Sequence, residues 1–333
     1  MIHLGIIGAG TAFRELHWPV LQELSEEIQV VGIANRTVES ARACATQLGN
    51  PRVFLNYHEL LSDPTIDAVL IAVPIELNAA ALVDAVKANK HVLAEKPIAA
   101  TRREALRVLK VCSKSNRVVA IAENFRYRAD LRHARELLQE KRIGDIFAFQ
   151  LQVCFDLDAS KRDIWTRAAW RRSPRHPGGF LLDAGIHAVA GLREVLGEVS
   201  DLSAQTRDIH SEIQGPDSLL MQVTLKSGAI GHFFACYTAK LETESLFQLK
   251  VYGTHGSLHV SDGAVHMYPS SGNGTEFLEP HFDRGYRAQW LNFVRSIQQR
   301  ELCRSTPQQA YLDLMIIDAA LRSAHLKVHV RFP

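Results

Sequence analysis

The stretch IHLGIIGAGTAF, residues 2–13, decides how the first part of this chain is read. Its apolar run from Ile2 to Ile7 is short and ends in glycine, which predicts a buried strand. Residues 12–24, AFRELHWPVLQEL, then carry helical periodicity. Between them Gly8 and Gly10 form the first half of the dinucleotide fingerprint G-x-G-x-x-G/A at a strand-to-helix turn. Gly8 allows the tight turn. Gly10 lets a pyrophosphate reach backbone N–H groups at the helix start, beside Thr11 and Ala12. The third position holds Phe13 instead of a small residue, so helix and strand must pack in another way.

Working outward, apolar strand patterns recur at 28–35 (IQVVGIAN), 67–74 (DAVLIAVP), 91–97 (HVLAEKP) and 117–124 (RVVAIAEN). Helical patterns separate them at 37–49, with Thr37 as N-cap and Gly49 just past the end, at 78–90 and at 101–115. This alternation predicts an α/β fold with a parallel, doubly wound sheet of Rossmann type. After about residue 122 the rhythm changes. FAFQLQV (147–153) alternates strictly, with Phe147, Phe149, Leu151 and Val153 on one face. Further strand patterns follow at 219–225, 229–239, 246–253 and 257–260, and helices at 286–300 and 307–325. The expectation is two domains, 1–122 and 123–333. The second is α/β with an open, mainly antiparallel sheet, and the last helix packs back on the first domain.

The 333 residues include 38 Lys and Arg against 36 Asp and Glu, a formal charge of +2. That balance gives no field for nucleic acid or an anionic membrane. Five scattered cysteines lack metal-ligand spacing, so no metal site is expected. With no export signal or membrane span in the pattern, a cytoplasmic location is expected.

The second strand ends in Asn35-Arg36-Thr37. An enzyme that uses NAD commonly has a carboxylate here for the ribose hydroxyls. Arg36 would instead pair with a 2′-phosphate, which favours NADP, with NAD as the alternative. Glu95-Lys96-Pro97 closes another strand, where ligands bind in open α/β sheets. Lys96 could stabilise negative charge on a substrate oxygen there, and a cis Lys96–Pro97 bond would aim it inward. In GGFLLDAGIH, 178–187, Asp183 and His187 stand four apart, on one face of a helix. Its glycines read as room for backbone beside a bound ligand. In His17-Trp18-Pro19, Trp18 reads as packing.

Taken together, Gly8-x-Gly10, HVLAEKPIA (91–99), ENFRY (123–127), WRRSPRHPGGFLLDAGIH (170–187) and VYGTHGSLHV (251–260) resemble the glucose–fructose oxidoreductase and inositol dehydrogenase family, Gfo/Idh/MocA. The resemblance covers residues 4 to about 326. It implies a nicotinamide cofactor and a sugar, inositol or sugar-derivative substrate. Hydride would pass between the nicotinamide and a carbinol or ketone carbon. It also implies a homodimer or homotetramer built through the second sheet. The catalytic set it implies is Lys96, Asp183 and His187. His187 would take the hydroxyl proton, Lys96 would bind the reacting oxygen, and Asp183 would hold either substrate or His187.

The expected cofactor contacts are Gly8, Gly10, Thr11, Ala12, Asn35, Arg36, Thr37, Val73, Pro74, Asn78, Glu95, Lys96, Pro97 and Asn124. Arg126, Tyr127, Trp170 and Arg171 are the expected substrate contacts. The chain departs from the family at Pro74-Ile75, where Pro-Asn is common, and at Ala190, where some members have Asp. Two other readings fit the same motifs. One is a catalytically silent cofactor-binding sensor or partner subunit. The other is an enzyme that oxidises its substrate transiently with tightly bound NAD.

Overall fold

The computed structural model describes residues 1–158, 163–241, 245–279 and 282–333. The chain divides into two compact units: residues 1–123 with 286–312, and residues 124–285 with 313–333.

The first unit is built on six strands: β1 (Ile2–Ile7), β2 (Ile28–Ala34), β3 (Arg52–Val53), β4 (Ala68–Ile71), β5 (His91–Glu95) and β6 (Val119–Ala122). Their order is β3-β2-β1-β4-β5-β6, and every neighbouring pair is parallel. The strands read as near-continuous apolar runs because a parallel sheet is covered on both faces; all of β4 and β6 is buried. The order reverses beside β1, which pairs with β2 on one side and β4 on the other. That switch point opens a crevice at the carboxyl ends of the strands. The helix Val38–Gln47 starts at Thr37, whose hydroxyl accepts from Ser40 N at 3.2 Å. Gly49, with φ +78°, follows that helix as its expected stop.

The sequence places one boundary near residue 122, yet 286–312 belong to the first unit. Trp290, Phe293 and Val294 of the helix Tyr286–Gln298 complete the apolar core around β1 and β2. A core contact so far along the chain leaves no local pattern to read.

The second unit holds nine strands: β7 (Ile146–Cys154), β8 (Val199–Arg207), β9 (Ser218–Leu225), β10 (Ile230–Cys236), β11 (Ser245–Gly253), β12 (Gly256–Ser261), β13 (Ala264–Pro269), β14 (Thr275–Leu278) and β15 (Val330–Arg331). Their order is β14-β13-β12-β11-β7-β10-β9-β8-β15. All pairs are antiparallel except β7 with β10, so the sheet is mixed. Burial alternates along β7 and β9, leaving one face open. Phe147 departs from its expected place and is 56% exposed; it sits near the start of β7, beyond the cover that buries Phe149 and Leu151. Among the described residues, no helix is long and apolar enough to cross a membrane.

Candidate active site

The glycine turn follows β1 directly. Gly8 has φ +90°, and a Cβ there would lie 2.4 Å from the carbonyl oxygen of Ala72, just past β4. Only glycine lets the two backbones come this close in this conformation. Gly10 is the opposite case. It is exposed, and a Cβ there would meet no atom within 4 Å. The turn therefore opens onto space at a helix start, the geometry that takes a pyrophosphate. Thr11 and Ala12, half-buried, begin the helix. A π turn follows over Phe13–His17. Phe13 is fully buried in the core, its ring 6.2 Å from that of Trp18. The wider turn occurs where a bulky side chain replaces the small third residue of the fingerprint.

The Glu95-Lys96-Pro97 segment sits at the carboxyl end of β5, next to β4, and its Lys96–Pro97 bond is cis. Buried Asn78, on the helix Ile75–Lys87, donates its amide to the carbonyls of Glu95 and Pro97, at 2.5 and 2.8 Å. It thereby pins both sides of Lys96, which is half-buried. The Oδ1 of Asn78 has no hydrogen-bond partner among the described residues. A buried acceptor without a donor suits a hydrogen-bonding group of a bound ligand, and together with the space over Gly10 it fits a dinucleotide. Val73 and Pro74, half-buried, lie between β4 and that helix, and Ile75 is buried in its first turn.

Behind the segment lies an arrangement the sequence did not suggest. His17 Nε2 is 2.8 Å from Glu95 Oε1, and Trp290 Nε1 donates to His17 Nδ1 at 3.1 Å. The second Glu95 oxygen accepts the backbone N–H of Lys96 at 3.1 Å. His17 thus braces the turn that carries Lys96. The only local signal was a histidine on the buried side of the first helix.

At the end of β2, Asn35 Oδ1 accepts the backbone N–H of Arg36 at 2.9 Å. The strand end itself, Asn35-Arg36-Thr37, carries no carboxylate. Arg36 is exposed, and its guanidinium has no ion-pair partner among the described residues.

In the second unit, Asp183 lies in a π turn, Leu181–Gly185, that leads into the helix Ile186–Leu196. The expected single helical face is therefore interrupted, and the two residues are held by different neighbours. Asp183 Oδ2 accepts from Arg171 Nε at 2.5 Å. The His187 ring stacks on Phe125, with centroids 5.1 Å apart and planes at 22°. The glycines 178–179 do not serve as expected. A Cβ on Gly178 would lie 2.5 Å from Leu182 Cβ, and one on Gly179 would lie 2.7 Å from Pro216 N. They make room for protein, not for a ligand. Gly185 keeps clearance from the Tyr237 hydroxyl, which a Cβ would approach to 3.4 Å.

Three expected contacts also have partners within the fold. Arg126 is buried and donates to both oxygens of Asp313, at 2.8 and 2.6 Å. Asp313 also accepts from Arg193 on the His187 helix, and so ties that helix to Pro307–Leu326. Asn124 is buried and donates to the Arg284 carbonyl at 2.8 Å. Arg171 donates to Asp183 and to the Trp165 carbonyl. Tyr127 is buried, Trp170 is half-buried against Arg171, and Ala190 lies wholly inside the fold.

Comparison with known proteins agrees with this geometry. Residues 2–123 match the model of an oxidoreductase family with an NAD-binding Rossmann fold, and residues 131–259 match the GFO/IDH/MocA C-terminal domain. The chain is 31% identical to the Saccharomyces cerevisiae protein YMR315W, over 97% of this chain and 96% of that one. It is 30% identical to 1,5-anhydro-D-fructose reductase of Ensifer adhaerens, over 76% of this chain and 74% of the relative. Among solved structures, an oxidoreductase of Thermotoga maritima superposes with a TM-score of 0.91 at 31% identity, covering 99% of this chain and 98% of that one. With its parallel dinucleotide sheet, its Glu95-Lys96-Pro97 turn and its mixed second sheet, the chain belongs to the Gfo/Idh/MocA family of oxidoreductases.

Proposed function

We propose that this protein is an NADP-dependent dehydrogenase or reductase acting on a secondary alcohol or ketone carbon of a sugar, inositol or sugar derivative. The observation that carries this reading is the pinned turn of Lys96. It sets Lys96 at the carboxyl end of the cofactor sheet, with the backbone around it held by Asn78 and Glu95, and Glu95 held in turn by His17. The relative that reduces 1,5-anhydro-D-fructose supports a sugar-type substrate.

Gly8, Gly10, Thr11 and Ala12 hold the pyrophosphate of the cofactor, and Arg36 takes the 2′-phosphate. Thr37, Val73, Pro74 and Asn78 line the remainder. The bound nicotinamide supplies the two-electron donor or acceptor. Lys96 Nζ binds the reacting oxygen and favours its alkoxide. An imidazole nitrogen of His187 takes the hydroxyl proton in oxidation and returns it in reduction. Asp183, held by Arg171, hydrogen-bonds the substrate. The catalytically silent reading gives no use to a braced lysine.

The open face of the second sheet supports a homo-oligomer. Leu220 and Phe234 are opposite one another on β9 and β10, and with Ile230 and Tyr268 they are exposed apolar residues. Such a surface suits a second copy of the chain.

The test is a panel of aldoses, ketoses, inositols and sugar nucleotides, each with NADP and NAD in both directions. The signal is the absorbance of the reduced nicotinamide. Turnover on a sugar or polyol, faster with NADP, is the expected result. Cofactor binding without turnover on any member contradicts the proposal.

A further inference from the structure

Arg171 and Asp183 are 12 residues apart, yet they form a charge-assisted hydrogen bond of 2.5 Å between Nε and Oδ2. Their side chains are 13% and 8% exposed. The Arg171 guanidinium is fixed from two other directions. Its Nη1 donates to the Trp165 carbonyl at 3.2 Å. Its central carbon lies 4.3 Å from the centroid of the Trp170 ring and 5.5 Å from that of Trp165. A planar cation against two indoles, with its edge on a carboxylate, is a pre-organised arrangement that lysine cannot reproduce. It sits at a π turn, which leaves Asp183 outside a regular helical ladder and in need of another anchor.

We infer that Arg171 is a positioning residue, which with Trp165 and Trp170 clamps the Asp183 carboxylate in its working orientation. Arg171 acts through Asp183 and does not itself recognise an acidic or phosphorylated substrate. The inference rests on the proposed role of Asp183 at the substrate. It also separates the supports of the two residues: Arg171 sets Asp183, while the stack on Phe125 sets the plane of His187.

The test has one arm that needs no substrate and one that does. In the first, the side-chain Nε–H resonance of Arg171 is observed by ¹H–¹⁵N NMR, with R171K as the assignment control. The bonded proton is expected to exchange slowly, and to shift and exchange faster in D183N. A resonance unchanged in D183N overturns the clamp. In the second arm, R171A, R171K and D183N are assayed on the panel member that the wild type turns over fastest. R171A and R171K are expected to lose kcat by about a hundredfold, the scale of an ångström-sized misplacement, with NADPH affinity unchanged. Millimolar guanidinium, but not sodium chloride at equal ionic strength, should restore R171A and leave D183N unrescued. R171K guards against a folding defect in R171A, and thermal melting is recorded for all three. An active R171A overturns the inference. So does an R171A loss confined to KM for acidic sugars. A wild type inactive on the whole panel contradicts the proposed function instead, and the resonance then decides whether the clamp exists.

Discussion

His17 and Glu95 are joined by a buried 2.8 Å contact, and Trp290 fixes which way the proton in it points. The indole N–H can only donate, so His17 Nδ1 accepts, and Nε2 carries the proton toward the carboxylate. Replacing His17 with Leu strips Glu95 of this partner and should cost about 1.5–3 kcal/mol, the value of a hydrogen bond to a charged group. Trp290→Phe leaves Nδ1 unsatisfied and should cost about 1–3 kcal/mol. His17→Gln can donate and accept in the same places and should cost least. Urea denaturation midpoints measure the order. Equal midpoints for H17L and wild type would show that the brace holds nothing.

Gly8 and Gly10 should fail in different ways. Gly8→Ala forces a Cβ against the Ala72 carbonyl at φ +90°, so it should lower stability by about 1–3 kcal/mol. Gly10→Val enters open space and should leave the melting temperature unchanged. It should weaken NADPH by roughly ten- to a hundredfold, the value of one lost hydrogen bond to a charged oxygen. Fluorescence titration and thermal melting separate the two. A G10V protein with native NADPH affinity would move the pyrophosphate away from this turn.

The proposed preference for NADP rests on Arg36. Arg36→Ala should reduce NADPH affinity by roughly ten- to a hundredfold through loss of one charge-assisted pair. NADH affinity should stay within about twofold. Calorimetric titration of both cofactors reads the difference. Equal losses for both would contradict a 2′-phosphate contact.

Glu279 should give the second unit a pH-dependent stability. Burial, then the charges of Asp130 and Asp283, raise its carboxyl from 4.5 to about 7, with Arg128 opposing. Between those values the folded state holds a proton that the unfolded state releases. Stability from this group is therefore present below pH 4.5 and is lost as pH rises through about 7. In Glu279→Gln the fall in stability over that window should be shallower. An unchanged slope in urea titrations at several pH values would refute the assignment.

The local rules of a parallel sheet made much of the first unit legible. Gly8, the apolar strands and the Thr37 cap each declare themselves within a few neighbouring residues. The Glu95-Lys96-Pro97 turn was readable for the same reason. The brace behind it was not, because Trp290 lies 273 residues from His17 and no local pattern joins them. The partner of Asp183 was hidden by two four-residue helices, Asp163–Thr166 and Ala169–Arg172, which fold Arg171 back onto it. Gly178 and Gly179 misled for a related reason. A glycine reports that something comes close, not whether it is a ligand or the chain itself at Pro216. Arg126 illustrates the limit for charges: in the sequence it is a cation near a strand end, and in the fold it belongs to a buried network with Asp313, Arg193 and Glu194.

The most direct test of the central claim is the turnover of His187→Ala on the panel substrate that the wild type uses, alongside its NADPH affinity. A loss of about 10²–10⁴ in turnover is expected, the contribution of a positioned acid–base group, with NADPH bound as tightly as by wild type. Full turnover by H187A on that substrate would contradict it.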